Sequence, residues 1–350
     1  MNVYLSDQYQ QQISRIAQTI PQMRKSILVT GATGMIGSSI IDILLCANQK
    51  YENQISVFAL GRDRGKLEER FSYVTNIHSL KFIVQDVMEP LDEDIEIDYI
   101  VHAASNADPI SYAKQPTETL LTNIYGTNNV LTYCRNHLKT RLLLTSTFEA
   151  YGKIAGKEIF TEIDSGEVDL NQIRSCYPES KRAAEILLRC YHQQYEVDGV
   201  IARLCSIYGP TMGKNDSKAH AQFIRNGLQG KNIVLKSRGL QKRTYCYLMD
   251  TISGIFTILL KGESGEAYNI ANEESVITIA DLARIVASVC GTSVVYEAPD
   301  AIEQKGYSRP QNCILDNAKL RSLGWESQYS LEEGIKATIG VLRETTEQTN

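Results

Sequence analysis

The sequence predicts an α/β protein: a doubly wound parallel sheet carrying a smaller C-terminal substrate-binding lobe. Three observations predict it. From about residue 26, short apolar runs alternate with helix-length segments, the rhythm of a parallel sheet. The runs are apolar on both faces, as strands covered by helices on two sides must be. A glycine triplet follows the first run directly.

Taken in order, residues 1–25 ("MNVYLSDQYQQQISRIAQTIPQMRK") form a polar, glutamine-rich extension in which an amphipathic helix is expected. They read as neither a secretory signal nor a membrane anchor. "SILVT" (26–30), "SVFAL" (56–60), "LKFIVQ" (80–85), "YIVHAA" (99–104), "RLLLTST" (141–147) and "GVIARL" (199–204) read as successive strands, with helices over 36–48, 117–137 and 177–196. This gives a dinucleotide-binding domain over 26–210. The pattern then turns irregular. "NIVLKSRG" is a candidate strand, and "TIADLARIVASVCG" reads as a helix stopped by Gly291. Residues 211–340 are expected to form a mixed α/β substrate lobe, with chain exchange between the lobes allowed, and 341–350 a fraying tail.

The chain has 350 residues, 43% of them hydrophobic, which is enough for a sizeable core. Its net charge is −5 and it has no long basic stretch, so a broad phosphate-contacting surface for nucleic acid is disfavoured. No apolar run approaches the roughly 20 residues of a membrane span, and no membrane partner is expected. Its eight cysteines include no C-x-x-C, so no metal site is expected and reduced thiols in the cytoplasm are.

"VTGATGMIGSSI" sets Gly31, Gly34 and Gly37 between the first strand and the first helix. A dinucleotide pyrophosphate needs this: a tight turn, a backbone it can touch, and close helix–strand packing. Thr33, Met35 and Ile36 share the turn. After the second strand stands Leu60-Gly61-Arg62-Asp63. An acid at that strand end receives the adenosine ribose hydroxyls, whereas Arg62 would admit a 2′-phosphate and gives weight to NADP(H). Asp86, with Val87 after the third strand, could receive the adenine amino group or simply cap a loop. Ala103 and Ala104 end the fourth strand and complete the expected cofactor edge.

"SCYPESKRAAE" places Tyr177 and Lys181 four apart, on one face of a helix. A phenol is a poor base at neutral pH, but a lysine ammonium and a cationic nicotinamide would lower its pKa. Tyr177 could then take a hydroxyl proton while hydride leaves the same carbon. Thr147, at the end of an apolar strand, supplies a hydroxyl for the substrate oxygen. The next residues are Phe148, which can donate no proton, and Glu149, which could act beside the reacting carbon.

With these motifs in order, the chain resembles an extended short-chain dehydrogenase/reductase, of the nucleotide-sugar epimerase/dehydratase/decarboxylase family, from about 26 to 340. Carrying the resemblance are T-G-x-x-G-x-x-G, "VHAAS" (101–105), "NIYGTNNVL" (123–131), Thr147 with "YG" at 151–152, Y-x-x-x-K, "RLCSIYGP" (203–210), "QKRTYCYLMD" (241–250), "YNIANEESVITIADLA" (268–283) and "SRPQNCILDNAKLRSLGW" (308–325). The resemblance implies a Rossmann-type domain, a tightly held cofactor that is commonly NAD, and a nucleotide-sugar substrate oxidised at carbon 4. A homodimer is also expected. Arg243 and Arg309 would meet the substrate's diphosphate or nucleotide, with Ser105 and Ser206 also on the substrate side. The family pattern has asparagine where Ser206 stands. The segment around Tyr177 is most similar to that of UDP-glucuronate decarboxylases, which share a glutamate at position 149 with the 4,6-dehydratases. Decarboxylation of a uronate therefore leads, ahead of dehydration and epimerisation. A non-catalytic dinucleotide-binding sensor is the rival from another class, and the presence of Thr147, Tyr177 and Lys181 together argues against it.

Overall fold

A strand buried on both faces must present a side chain to each face in turn, and the first strand does so: Ile27 and Val29 enter one core, Leu28 the other. The computed structural model describes residues 2–75, 79–298 and 312–348. Its main sheet has seven strands, numbered here in chain order: β1 (Ser26–Thr30), β2 (Ser56–Gly61), β3 (Leu80–Val84), β4 (Tyr99–His102), β5 (Arg141–Thr147), β6 (Asp198–Leu204) and β7 (Ala267–Ile270). All neighbours run parallel in the order β3-β2-β1-β4-β5-β6-β7. The order reverses between β1 and β4, where an open α/β sheet leaves a crevice at its carboxyl edge.

Nine helices are named here: α1 (Asp7–Thr19), α2 (Met35–Lys50), α3 (Arg64–Arg70), α4 (Pro109–Lys114), α5 (Pro116–Asn136), α6 (Cys176–Tyr195), α7 (Ala219–Leu228), α8 (Leu248–Lys261) and α9 (Ile279–Cys290). Helices α1, α2 and α8 cover one face of the sheet, and α5 packed on α6 covers the other. The fold is thus the Rossmann-type sheet with a smaller C-terminal lobe that the sequence predicts. Helix α9 ends as expected, on Gly291 at φ +71. The smaller lobe holds a three-stranded sheet of 206–208, 242–247 and 276–278, and a parallel pair of 233–235 with 294–296. The chain returns from that lobe to add β7 at the sheet edge. No helix among the described residues is long and apolar enough to cross a membrane.

The N-terminal helix is part of the core. Helix α1 starts on Ser6, whose hydroxyl accepts from the Tyr9 amide, and buries Tyr9, Ile13, Ile16 and Ala17. The Tyr9 hydroxyl donates to Asp42 on α2 at 2.7 Å. Asp42 is fully buried and also accepts from Arg70 and Tyr73. A buried carboxylate is tolerated only when paired and hydrogen-bonded, and these three donors do both. They join α1, α2 and the segment after β2 at one point. Tyr9→Phe removes a bond to a charged acceptor, so we expect a loss of about 1.5–3 kcal/mol, read as a lower urea midpoint with unchanged slope.

Candidate active site

Gly31 holds φ +67, and a Cβ there would lie 2.8 Å from the Ala103 carbonyl oxygen and 2.9 Å from the Ala104 Cα. No side chain could replace that hydrogen atom. Gly34 caps α2 with no side-chain hydrogen bond, and Thr33 and Gly34 are exposed. The helix thus begins as a bare positive end beside an outward-facing turn, which fits a pyrophosphate group. Met35 and Ile36 are half-buried behind it. The Thr30 hydroxyl receives the Ala103 and Ala104 amides at 3.2 and 3.1 Å and pairs with His102 Nδ1 at 2.8 Å. Those two alanines therefore offer a cofactor their surface and carbonyls, while their amide donors are spent on β1.

At the adenosine side, Arg62 Nη1 lies 3.6 Å from Asp86 Oδ2, with 65% of the arginine side chain exposed. The other Asp86 oxygen accepts the Met88 amide at 2.9 Å, so the loop-capping role is present. Val87 is buried under Gly126 of α5.

The three hydroxyls ending β5 have three different tasks. Thr145 donates to the His102 carbonyl at 2.9 Å. Ser146 donates to Glu185 on α6 at 2.5 Å. Glu185 also accepts from Arg203 Nε and from Nη2, the latter at 2.7 Å; burial pushes its carboxyl up, but the Arg203 bonds and charge hold it low. Thr147 alone faces the reacting side, where its hydroxyl acts on Tyr177 and receives the Glu149 amide at 3.3 Å.

Tyr177 and Lys181 come from the first turns of α6, one above the other, as their spacing predicts. The pKa of Tyr177 departs from expectation. Burial, then the negative charge of Glu149, raises it above the usual phenol range, against the smaller effects of Thr147, Tyr112 and Arg174. The Lys181 ammonium donates to the Thr145 carbonyl at 2.9 Å. Burial pushes Lys181 itself down to about 8, with Glu185 opposing. A cation placed beside the phenol, such as an oxidised nicotinamide, would bring its pKa back down.

Two residues that the motifs did not single out complete the cluster. Tyr112 of α4 stacks on Tyr177 with centroids 4.5 Å apart, and the Arg174 guanidinium lies 5.5 Å over the Tyr112 ring. Arg174 also grips Glu149 with both terminal nitrogens, at 2.6 and 2.9 Å. Its signal in the sequence is its place, three residues before Tyr177. Phe148 is more than an apolar wall: the Arg243 guanidinium sits 5.3 Å from its ring centroid. Ser105 Oγ is buried without a protein partner, as a group awaiting a ligand would be. Ser206 begins the 206–208 strand, half-buried, and Arg309 lies outside the described residues. Asp108 ties α4 to residue 217. One oxygen accepts the Ile110 and Ser111 amides and so caps α4; the other takes the Ser217 amide at 2.9 Å and its hydroxyl at 2.6 Å.

A glycine cradle at the sheet's reversal and a Tyr–Lys pair at its edge are the two halves of a nicotinamide-dependent site. Residues 27–271 match the model of the NAD dependent epimerase/dehydratase family. The chain belongs to that family. It is an NAD(P)-dependent enzyme of the extended short-chain dehydrogenase/reductase type, as the motifs indicate. Over 318 residues it is 34% identical to UDP-glucuronic acid decarboxylase 6 of Arabidopsis thaliana, covering 90% of this chain and 88% of that one. It is also 34% identical to the UDP-glucuronic acid decarboxylase 1 of Danio rerio, over 93% and 75% of the two chains. Among solved structures, dTDP-glucose 4,6-dehydratase from Streptomyces venezuelae, with NAD bound, superposes at TM-score 0.77 with 27% identity, over 92% of this chain and 98% of that one.

The depressed pKa of Lys181 fixes a prediction for stability. Its folded pKa lies below the unfolded value, so the cost of burying the ammonium is fully present below pH 8 and is relieved as pH rises toward 10.5. That cost is about 3 kcal/mol, less the hydrogen bond to Thr145. Lys181→Met should therefore raise the melting temperature at pH 7 while losing activity, and the thermal advantage should shrink between pH 8 and 10.5.

Proposed function

We propose that the protein decarboxylates a nucleotide-linked uronic acid after oxidising it at carbon 4. The observation that carries this reading is the turn after β5: an apolar Phe148 followed by a Glu149 held as an ion pair with Arg174. Dehydration needs an acid to protonate a departing hydroxyl, and neither residue offers one. Decarboxylation needs none, since a carboxylate β to a ketone leaves as carbon dioxide with its bonding electrons delocalised into the carbonyl. The kinship with UDP-glucuronic acid decarboxylases supports the same choice.

A bound nicotinamide would supply the acceptor, and then the donor, of the carbon-4 hydride. The chain's own residues do the rest. Tyr177 takes the proton of the carbon-4 hydroxyl, and Thr147 holds that oxygen in place. Lys181 would hold the nicotinamide ribose with its ammonium. Once carbon 4 is a ketone, Glu149 faces carbons 5 and 6, where it orients the water that protonates carbon 5 after the carboxylate has left as carbon dioxide. Arg243, propped on Phe148, suits the substrate's diphosphate.

Incubation of the enzyme with a panel of nucleotide sugars, followed by mass spectrometry, should show a uronate losing the mass of carbon dioxide. Loss of water or an unchanged mass would replace the reading with a 4,6-dehydratase or an epimerase. Glu149→Gln should still reduce the cofactor transiently with substrate, yet fall about 10²–10⁴-fold in product formation. Product at the wild-type rate would remove the carboxylate from the chemistry.

For the cofactor we infer NAD rather than NADP. Arg62 already has Asp86 as a counter-charge and stands mostly in solvent, so a 2′-phosphate would have to approach that carboxylate. Calorimetric titration of apo protein should give NAD the tighter constant, little altered in Arg62→Ala. Tighter NADP binding that is lost in Arg62→Ala would reverse the assignment.

A further inference from the structure

Arg174 stands where three parts of the site meet. It lies just before α6, in the short turn Ile173–Ser175, and its side chain is only 14% exposed. Its two terminal nitrogens meet the two oxygens of Glu149, a planar fork on a planar carboxylate that fixes the orientation of both groups. Its flat face lies over Tyr112, and Tyr112 in turn stacks nearly parallel on Tyr177 at 16°. The stack therefore runs from guanidinium to phenol to phenol, with the carboxylate fastened to its outer end. Arg174 is paired with Glu149; burial, and with it the Glu149 charge, raises the pKa of Tyr112, Tyr177, Cys176 and Cys313.

We propose that Arg174 is a positioning residue that registers Glu149 against Tyr177, so that the group acting at carbons 5 and 6 and the group acting at carbon 4 address one bound sugar. The inference rests on the role given above to Glu149. Two consequences follow. The carboxylate enters the reaction charged and aimed, so it serves as a base or a water-orienting group and never as the acid that a dehydration would need. And the distance between the two reacting centres is set by stacked rings rather than by flexible loop backbone. Lysine could supply the charge at position 174 but neither the fork nor the flat face.

The test compares full-length wild type, Arg174→Met, Arg174→Lys, Glu149→Gln and the Arg174→Met/Glu149→Gln pair on the sugar nucleotide that the panel identifies as consumed. Arg174→Met should lower kcat about 100-fold with KM changed only a few-fold, since misplacement of a reacting group by about 1 Å has that effect. Arg174→Lys should fall between, and low, non-denaturing guanidinium should restore Arg174→Met but not Glu149→Gln. In the Glu149→Gln background the arginine change should cost nothing further, as for groups acting as a unit. Wild-type kcat in Arg174→Met, or fully additive losses in the pair, would overturn the proposal. If no uronate is consumed, the decarboxylase reading falls on its own. The additivity measured on whichever sugar nucleotide is consumed then still decides Arg174.

Discussion

Everything at the reacting edge depends on how closely two backbones approach at the reversal of the sheet. Gly31, just past β1, touches the carbonyl of Ala103 and the Cα of Ala104, just past β4. Thr30 then ties both alanine amides to its hydroxyl. That junction closes the gap between neighbouring strands below the crevice and turns the first helix so that its uncapped end faces the ligand side. β5 stands one strand further on, and its end presents Thr147, Phe148 and Glu149 at a height set by the register Val101↔Leu143. A methyl group at position 31 would part the two strands, and with them the phosphate cradle and the catalytic turn.

Much of this was readable in the sequence because it obeys strong local rules. Apolar runs with a period of two, a glycine triplet and a Tyr–Lys pair on one helical face each have few structural solutions. β7 was missed, for a reason that can be named. "AYNI" carries an asparagine at its centre, which looks unlike a buried strand, yet Asn269 is completely buried. Its amide oxygen accepts from Tyr151 at 2.6 Å, and its nitrogen donates to the Phe160 and Asp316 carbonyls. Such satisfaction comes from partners more than 40 residues away, which no window of sequence contains. The same holds for the site. Tyr177 and Lys181 announce themselves by spacing, whereas Tyr112 and Arg174 matter only because α4 folds back against the start of α6.

The hydroxyl-rich end of β5 shows how one strand serves stability and chemistry together. Its alternation sends Ser146 away from Thr147, into a buried network with Glu185 and Arg203 that straps β5 and β6 to α6. That strap fixes the helix carrying Tyr177 and Lys181 relative to the strand carrying Thr147. A buried ion pair is weak evidence of net stability, because desolvation offsets its attraction. Here its value is registration, keeping a phenol and a threonine hydroxyl facing one another.

The two-sided carboxylate of Asp108 ties distant parts of the chain to the aromatic stack. One oxygen caps the short helix that bears Tyr112, and the other holds the amide and hydroxyl of Ser217. Tyr112 in turn lies flat against Tyr177. A single side chain therefore connects residue 217, 109 positions further along the chain, to the ring beside the phenol, so a substitution at Asp108 would be felt at Tyr177 without touching it.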